Sequence, residues 1–146
     1  MQKLLDELHE SAGRICDAAR AATPKPSPEW PPQVVVGHLI DVDIEVWRAR
    51  IALMVNALRN GEAAPELAWW EPDPADTFDR YAHWPVEDAL NAFMQGRRFL
   101  IAEANALTES ERGAYAVHAT FGRIDIPALL LEAIKHDEEH ADSFRS

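Results

Sequence analysis

Apolar residues recur at helical spacing through most of the chain. In residues 2–22, Leu4, Leu5, Leu8, Ala12, Ile15 and Ala19 share one face of a 3.6-residue period, which predicts a first helix stopped by Thr23-Pro24. Residues 24–32 hold five prolines and predict a connecting loop, with Pro31 and Pro32 suited to the opening turn of the next helix, where a missing N–H costs nothing. A second helix is expected over 32–60. Its stripe is Ile40, Ile44, Trp47, Ile51, Met54 and Leu58, widened by Val35, Val42 and Val46, and Asn60-Gly61 is its stop.

Residues 61–84 are too long for a turn between neighbouring helices. Trp69, Trp70, Phe78, Tyr81 and Trp84 argue that this segment folds over the bundle and covers one end of a pocket. A third helix is expected over 85–107. Pro85 opens it, and Val86, Leu90, Phe93, Arg97, Leu100, Ala104 and Leu107 trace one face that Arg97 interrupts. Residues 108–122 read as polar and irregular. Asp125 then caps a fourth helix over 126–144, with Pro127 in its first turn and a stripe of Ile126, Leu129 or Leu130, Ala133, His136, His140 and Phe144. No strand alternation competes with these helices. The expected fold is all-α, a four-helix bundle with a long loop between helices two and three, in one domain over 1–146.

Composition narrows the partners. A formal charge of −11 disfavours nucleic acid or an anionic membrane surface as the main partner. Cys16 is the only cysteine, so no intrachain disulfide can form, and it reads as a small core residue. No cationic start with an apolar run marks an export signal, and no apolar stretch is long enough to span a bilayer. The expectation is a cytoplasmic protein acting on a small molecule.

The candidate chemistry lies in the histidines. His136 and His140 sit four apart in Ile134-Lys135-His136-Asp137-Glu138-Glu139-His140, hence on one helical face with Cβ atoms roughly 5–6 Å apart. Both fall on the apolar stripe, where ring nitrogens need partners. Either they converge on a cation, or they face water at a frayed chain end. His38, in Val36-Gly37-His38-Leu39-Ile40-Asp41, is either a hydrogen-bonded core residue or a third ligand from another helix. Three imidazoles would leave coordination positions open, the pattern of catalytic sites. His118 precedes the last helix and is either a loop residue or a group that approaches the pocket. Arg97 and Arg98 are read either as binders of an anionic substrate group or as salt-bridge partners of the many acids. Asp137 is expected at a cap or on the surface, since neighbours on a helix diverge by about 100°. Asp41 follows His38 closely and could accept from an imidazole N–H, and Glu45, about two turns past His38, could line the pocket.

Several pieces together resemble a known family. These are Glu29-Trp30, Val36 to Asp41, Ala89-Leu90 through Arg97-Arg98, His118 with Phe121-Gly122-Arg123-Ile124, and the closing segment from Ile134 to His140. In order and spacing they resemble the DinB-like superfamily of metalloenzymes, related to the YfiT-type proteins. The resemblance implies a four-helix bundle in which His38, His136 and His140 coordinate a divalent ion (zinc, nickel, manganese or iron). It also implies relatives that are thiol S-transferases using bacillithiol or mycothiol, a mycothiol-dependent isomerase, and frequent homodimers.

Three functions of different class follow. The first is a metal-dependent enzyme, a thiol S-transferase or a hydrolase, in which the ion activates a low-molecular-weight thiol or water and Arg97, Arg98 or His118 helps hold the substrate. The second is a non-catalytic metal-binding stress-response protein. The third is a metal-free helical interaction protein. A ferritin-type di-iron site is disfavoured, because the chain contains no Glu-x-x-His.

Overall fold

Four long helical runs form where the apolar periodicity predicts them. In the computed structural model, which describes residues 1–23 and 29–146, the elements are α1 (Gln2–Ala21), α2 (Pro32–Val42), a π-helical segment (Asp43–Arg48), α3 (Ala49–Arg59), β1 (Glu66–Leu67), α4 (Pro74–Tyr81), α5 (Val86–Asn105), α6 (Glu109–Arg112), β2 (Tyr115–His118), β3 (Gly122–Asp125) and α7 (Ile126–Arg145). The α2, π and α3 pieces make one unbroken helical run, so the architecture is a four-helix bundle with a small sheet attached. The predicted proline loop lies partly outside the described residues, at 24–28. Among the described residues no helix is long and apolar enough to cross a membrane.

The helix ends follow their sequence signals. Asp125 caps α7 by accepting a hydrogen bond from the Ala128 N–H at 3.0 Å, with proline in the first turn. At the end of α3, Gly61 takes a φ of +64° that favours glycine, and the Glu62 N–H reaches back to the Ala57 carbonyl at 2.9 Å. α1 packs along α7 and α5, and α2 packs along α5. Leu8, Ile15, Phe93, Leu100 and Leu130 are almost wholly buried between them. Each contributes roughly 1.5–3 kcal/mol by leaving water.

Two predictions are corrected. The stretch expected to be irregular, 108–122, contains α6 and β2, and the 61–84 connection contains β1 and α4. β2 pairs antiparallel with β3 (His118 opposite Gly122) and parallel with β1 (Leu67 opposite His118). Tyr115 and Val117 point outward while Ala116 and His118 point inward, so the alternation is present, but apolar residues on both faces hide it. The second correction concerns the middle helix. Ile44 and Leu58, placed on its buried stripe, are 49% and 45% exposed. Ile44 lies inside the π turn, whose wider ring breaks the constant 3.6 period on which the stripe was drawn, while Trp47, Ile51 and Met54 of the same stripe are buried.

Candidate metal centre

The π turn also builds the site. Twelve residues along an ideal α-helix end about 120° around the axis from the start. The wider turn at Asp43–Arg48 takes up most of that rotation. His38, Val42, Val46 and Arg50 therefore all face the same cavity, a space of about 230 Å³. His136 closes its inner end from α7, and the sheet supplies His118 and Ile124 from the opposite side.

His38, His136 and His140 converge at this inner end. One ring nitrogen from each lies within 4.8 Å of the others. The Nε2 atoms of His136 and His140 are 3.2 Å apart. Nitrogens bound to one tetrahedral zinc at about 2.0–2.1 Å stand roughly 3.3 Å from each other, so this spacing suits a shared cation. A proton can bridge one nitrogen pair, but it cannot satisfy three converging lone pairs. The donor set thus fits a divalent ion of borderline softness. Trp70 stacks on His38 at 6.2 Å, Trp30 lies 5.7 Å from it, and Trp47 meets His136 edge-on at 6.1 Å. The Nδ1 atoms of His38 and His136 are buried without a protein partner among the described residues.

Burial sets the charge state of the rings. It lowers the His38 pKa to about 4, helped by His140, and the His136 pKa to about 3, helped by the charges of His140, His38 and Arg97. His140 is also lowered by burial, against the pull of Asp137 and Glu139. At neutral pH the cluster is three neutral imidazoles, the form a metal requires.

The ring positions are fixed from behind. Gly37 is bare against the Tyr81 ring, where an added Cβ would lie 2.2 Å from ring atoms. The Tyr81 hydroxyl donates to Asp41 Oδ1 at 2.7 Å, and Arg80 donates to both Asp41 oxygens. Asp41 therefore ties α4 to α2 beside His38, and its hydrogen bonds go to Arg80 and Tyr81 and not to the imidazole. Glu45 is exposed.

The arginines are placed differently from the cavity-lining residues. Arg97, 1% exposed, lies in the bundle core. It donates to Asp43 Oδ2 at 3.0 Å, Asp137 Oδ2 at 2.6 Å and the Leu8 carbonyl at 2.9 Å. Ser11 Oγ donates to the same Asp137 oxygen at 2.5 Å. Burial opposes Arg97's charge, but the two carboxylates outweigh it and hold the guanidinium more firmly protonated than free arginine. Every strong acceptor near it is occupied, so it has no face free for a substrate. Arg98 is exposed against α1, near Asp6 and His9, and does not line the cavity beside His38 and His136. Asp137 is a correction. It was expected at a cap or on the surface, yet it is 1% exposed. The core line of α7 runs through Ala133, Asp137 and Ala141, which leaves His136 and His140 beside it, half-buried, with His136 lining the cavity and His140 against its ring.

His118 does reach the cavity. Its Nδ1 accepts from the Thr120 N–H at 3.0 Å and the Phe121 N–H at 3.3 Å, so the neutral ring carries its proton on Nε2. Burial and the nearby Arg50 charge lower its pKa. Trp69 stands edge-on at 6.3 Å, so the aromatic connection covers one end of the pocket as expected. Sequence reasoning missed Trp47 and Arg50. The fourfold spacing of His38, Val42, Val46 and Arg50 was visible, but an α-helical wheel spreads those positions too widely to place them together.

The sequence profile of the DinB superfamily matches residues 1–142. No curated protein matches the sequence. Among solved structures, the chain is similar to YfiT from Bacillus subtilis, described as "a probable metal-dependent hydrolase with an unusual four-helix bundle topology". The TM-score is 0.74 at 17% identity, and the alignment covers 99% of this chain and 83% of that one.

Proposed function

The chain belongs to the DinB superfamily, and from that premise we propose that it is a metal-dependent enzyme whose ion is held by His38, His136 and His140. The observation that carries this is the convergence of three ring nitrogens within 4.8 Å at the end of a cavity. A bound divalent ion would supply Lewis acidity and lower the pKa of a water or thiol in its open position. The chain's own part is to keep three neutral imidazoles in place, to wall them with Trp30, Trp47 and Trp70, and to leave one side open to a small molecule.

The cavity favours water as the nucleophile, and so hydrolysis. At about 230 Å³ it is smaller than the roughly 300–1,000 Å³ of sites for drug-sized ligands. A thiol cofactor and an electrophile together need more room, so S-transfer is the second reading. The likeness to YfiT supports hydrolysis in the same direction. A non-catalytic metal-binding role would not need a cavity lined by His118 and Arg50 beside the histidines. The reading carries a cytoplasmic homodimer acting on a small molecule.

The test is elemental analysis of untagged protein and of its His136→Ala variant. One divalent ion per chain is expected for the native protein. The variant should lose it while keeping a helical far-UV spectrum. Full metal occupancy in the variant would refute the ligand assignment.

A further inference from the structure

The outer half of the cavity has a polarity that the metal reading leaves unexplained. Arg50 lines it, half-buried, in a chain with 25 acidic residues against 14 basic ones. In so acidic a protein a half-buried guanidinium would be expected to hold a carboxylate. Arg50 holds none within ion-pair distance among the described residues. Among the described residues its one side-chain bond runs from Nη2 to the Ala68 carbonyl at 2.8 Å, which fixes the side chain and leaves the rest of the fork without a partner there. The nearest acids on the cavity wall are otherwise engaged or peripheral. Glu132 accepts from Lys135 at 3.3 Å, and Glu139 is exposed at the rim.

His118 makes a second, independent observation. Two backbone N–H groups occupy its Nδ1, so its Nε2 is a donor in a ring that lines the same cavity. Arg50 and Glu132 are the charges it senses. One forked cation and one fixed N–H donor then stand on the side of the cavity away from the paired histidines. Between the two ends the wall is apolar, with Val42, Val46 and Leu129, and Phe121 packs beside His118 at 4.7 Å.

We propose that the cavity selects a small organic acid, its carboxylate on Arg50 and His118 Nε2, its apolar body along the middle wall and its reacting group at the three histidines. This deepens the enzyme reading above and rests on it for the reacting end only. It replaces Arg97 and Arg98 as the source of anion recognition with a residue whose donors are free. A guanidinium matches the planar carboxylate in pairs of hydrogen bonds, which an ammonium would not do.

The probe pair is phenylacetate and its neutral isostere phenylacetamide, titrated against the full chain by tryptophan fluorescence. The native protein should bind the acid about tenfold or more tightly than the amide, the scale of one charge-assisted bond. R50Q, whose amide can still donate to the Ala68 carbonyl, should lose that preference, and R50K should keep part of it. R50Q should also retain native metal content and native helicity. The amide binding as well as the acid, no detectable binding of the acid, or an unchanged preference in R50Q would each overturn the proposal. A preference lost in H136A but kept in R50Q would overturn it too, because the ion would then be holding the acid. If H136A instead keeps both its metal and the acid preference, the ligand assignment fails while Arg50's role stands.

Discussion

Replacing Arg97 by methionine tests whether the bundle depends on a buried charge triad. Arg97, Asp43 and Asp137 are each 1% exposed, and Arg97 donates five hydrogen bonds, four to the two carboxylates and one to the Leu8 carbonyl. Methionine fills similar space but leaves both carboxylates without their cation, with Ser11 still donating to Asp137. Removing one partner from a buried pair costs about 3–5 kcal/mol. For a chain of this size that is a fall of about 6–20 °C in Tm, at about 2–4 °C per kcal/mol. Thermal and urea unfolding followed by far-UV circular dichroism would measure it. The loss should shrink on acidification, because the stranded carboxylates can protonate in the folded state and so bind more protons there than when unfolded. Adding D43L and D137L should restore most of the stability, since a triad replaced by apolar groups is often neutral. An R97M Tm within about 2 °C of native at neutral pH would refute the reasoning.

Other predictions follow from the same geometry. Without metal, stability should fall as pH drops below about 6.5, through the folded-state values of about 4 for His38 and about 3 for His136; in that window the unfolded chain binds more protons, so acid favours unfolding, and a denaturation series from pH 7 to 3 that stays flat would contradict it. Gly37→Ala should drive a methyl into the Tyr81 ring and cost about 1–3 kcal/mol; faster hydrogen exchange across Pro74–Tyr81 is the expected signature, and native protection there would count against it. Asp125→Ala should remove the cap of α7 at a cost of about 1 kcal/mol, measured by urea unfolding, with metal binding retained.

Much of the fold was legible because four helices keep their apolar period and their end signals. α7 shows this most fully: Asp125, proline in the first turn and the buried Ile126, Leu129, Leu130, Ala133 and Phe144 stand where the pattern puts them, while Asp137 takes the core position between the half-buried His136 and His140. The hidden parts share a physical cause, the meeting of two elements. Asp137 reads as a cap or a surface charge because an isolated helix gives no reason to bury it. The signal lay on α5, where Arg97 interrupts an apolar face and therefore requires anions on the faces opposite. Ile44 was misplaced because nothing in its own segment announces a π turn, whose wider ring is selected by packing. Arg50 was missed for the same reason, since its place on the cavity-facing side of the helical run that carries His38 depends on that turn. The strands were missed because β2 carries apolar residues on both faces and completes its pairing only with β1, some fifty residues upstream.

The central claim is that rings from two separate helices share one ion, and His38 is the member that the tail alone cannot replace. Titration of untagged apo-protein with cobalt(II), followed by visible absorption, measures this directly. The account predicts saturation at one equivalent for the native chain. It predicts that His38→Ala weakens binding by more than the roughly 10–100-fold that loss of an outer-shell partner costs. Equal affinity and an unchanged spectrum in His38→Ala would contradict it.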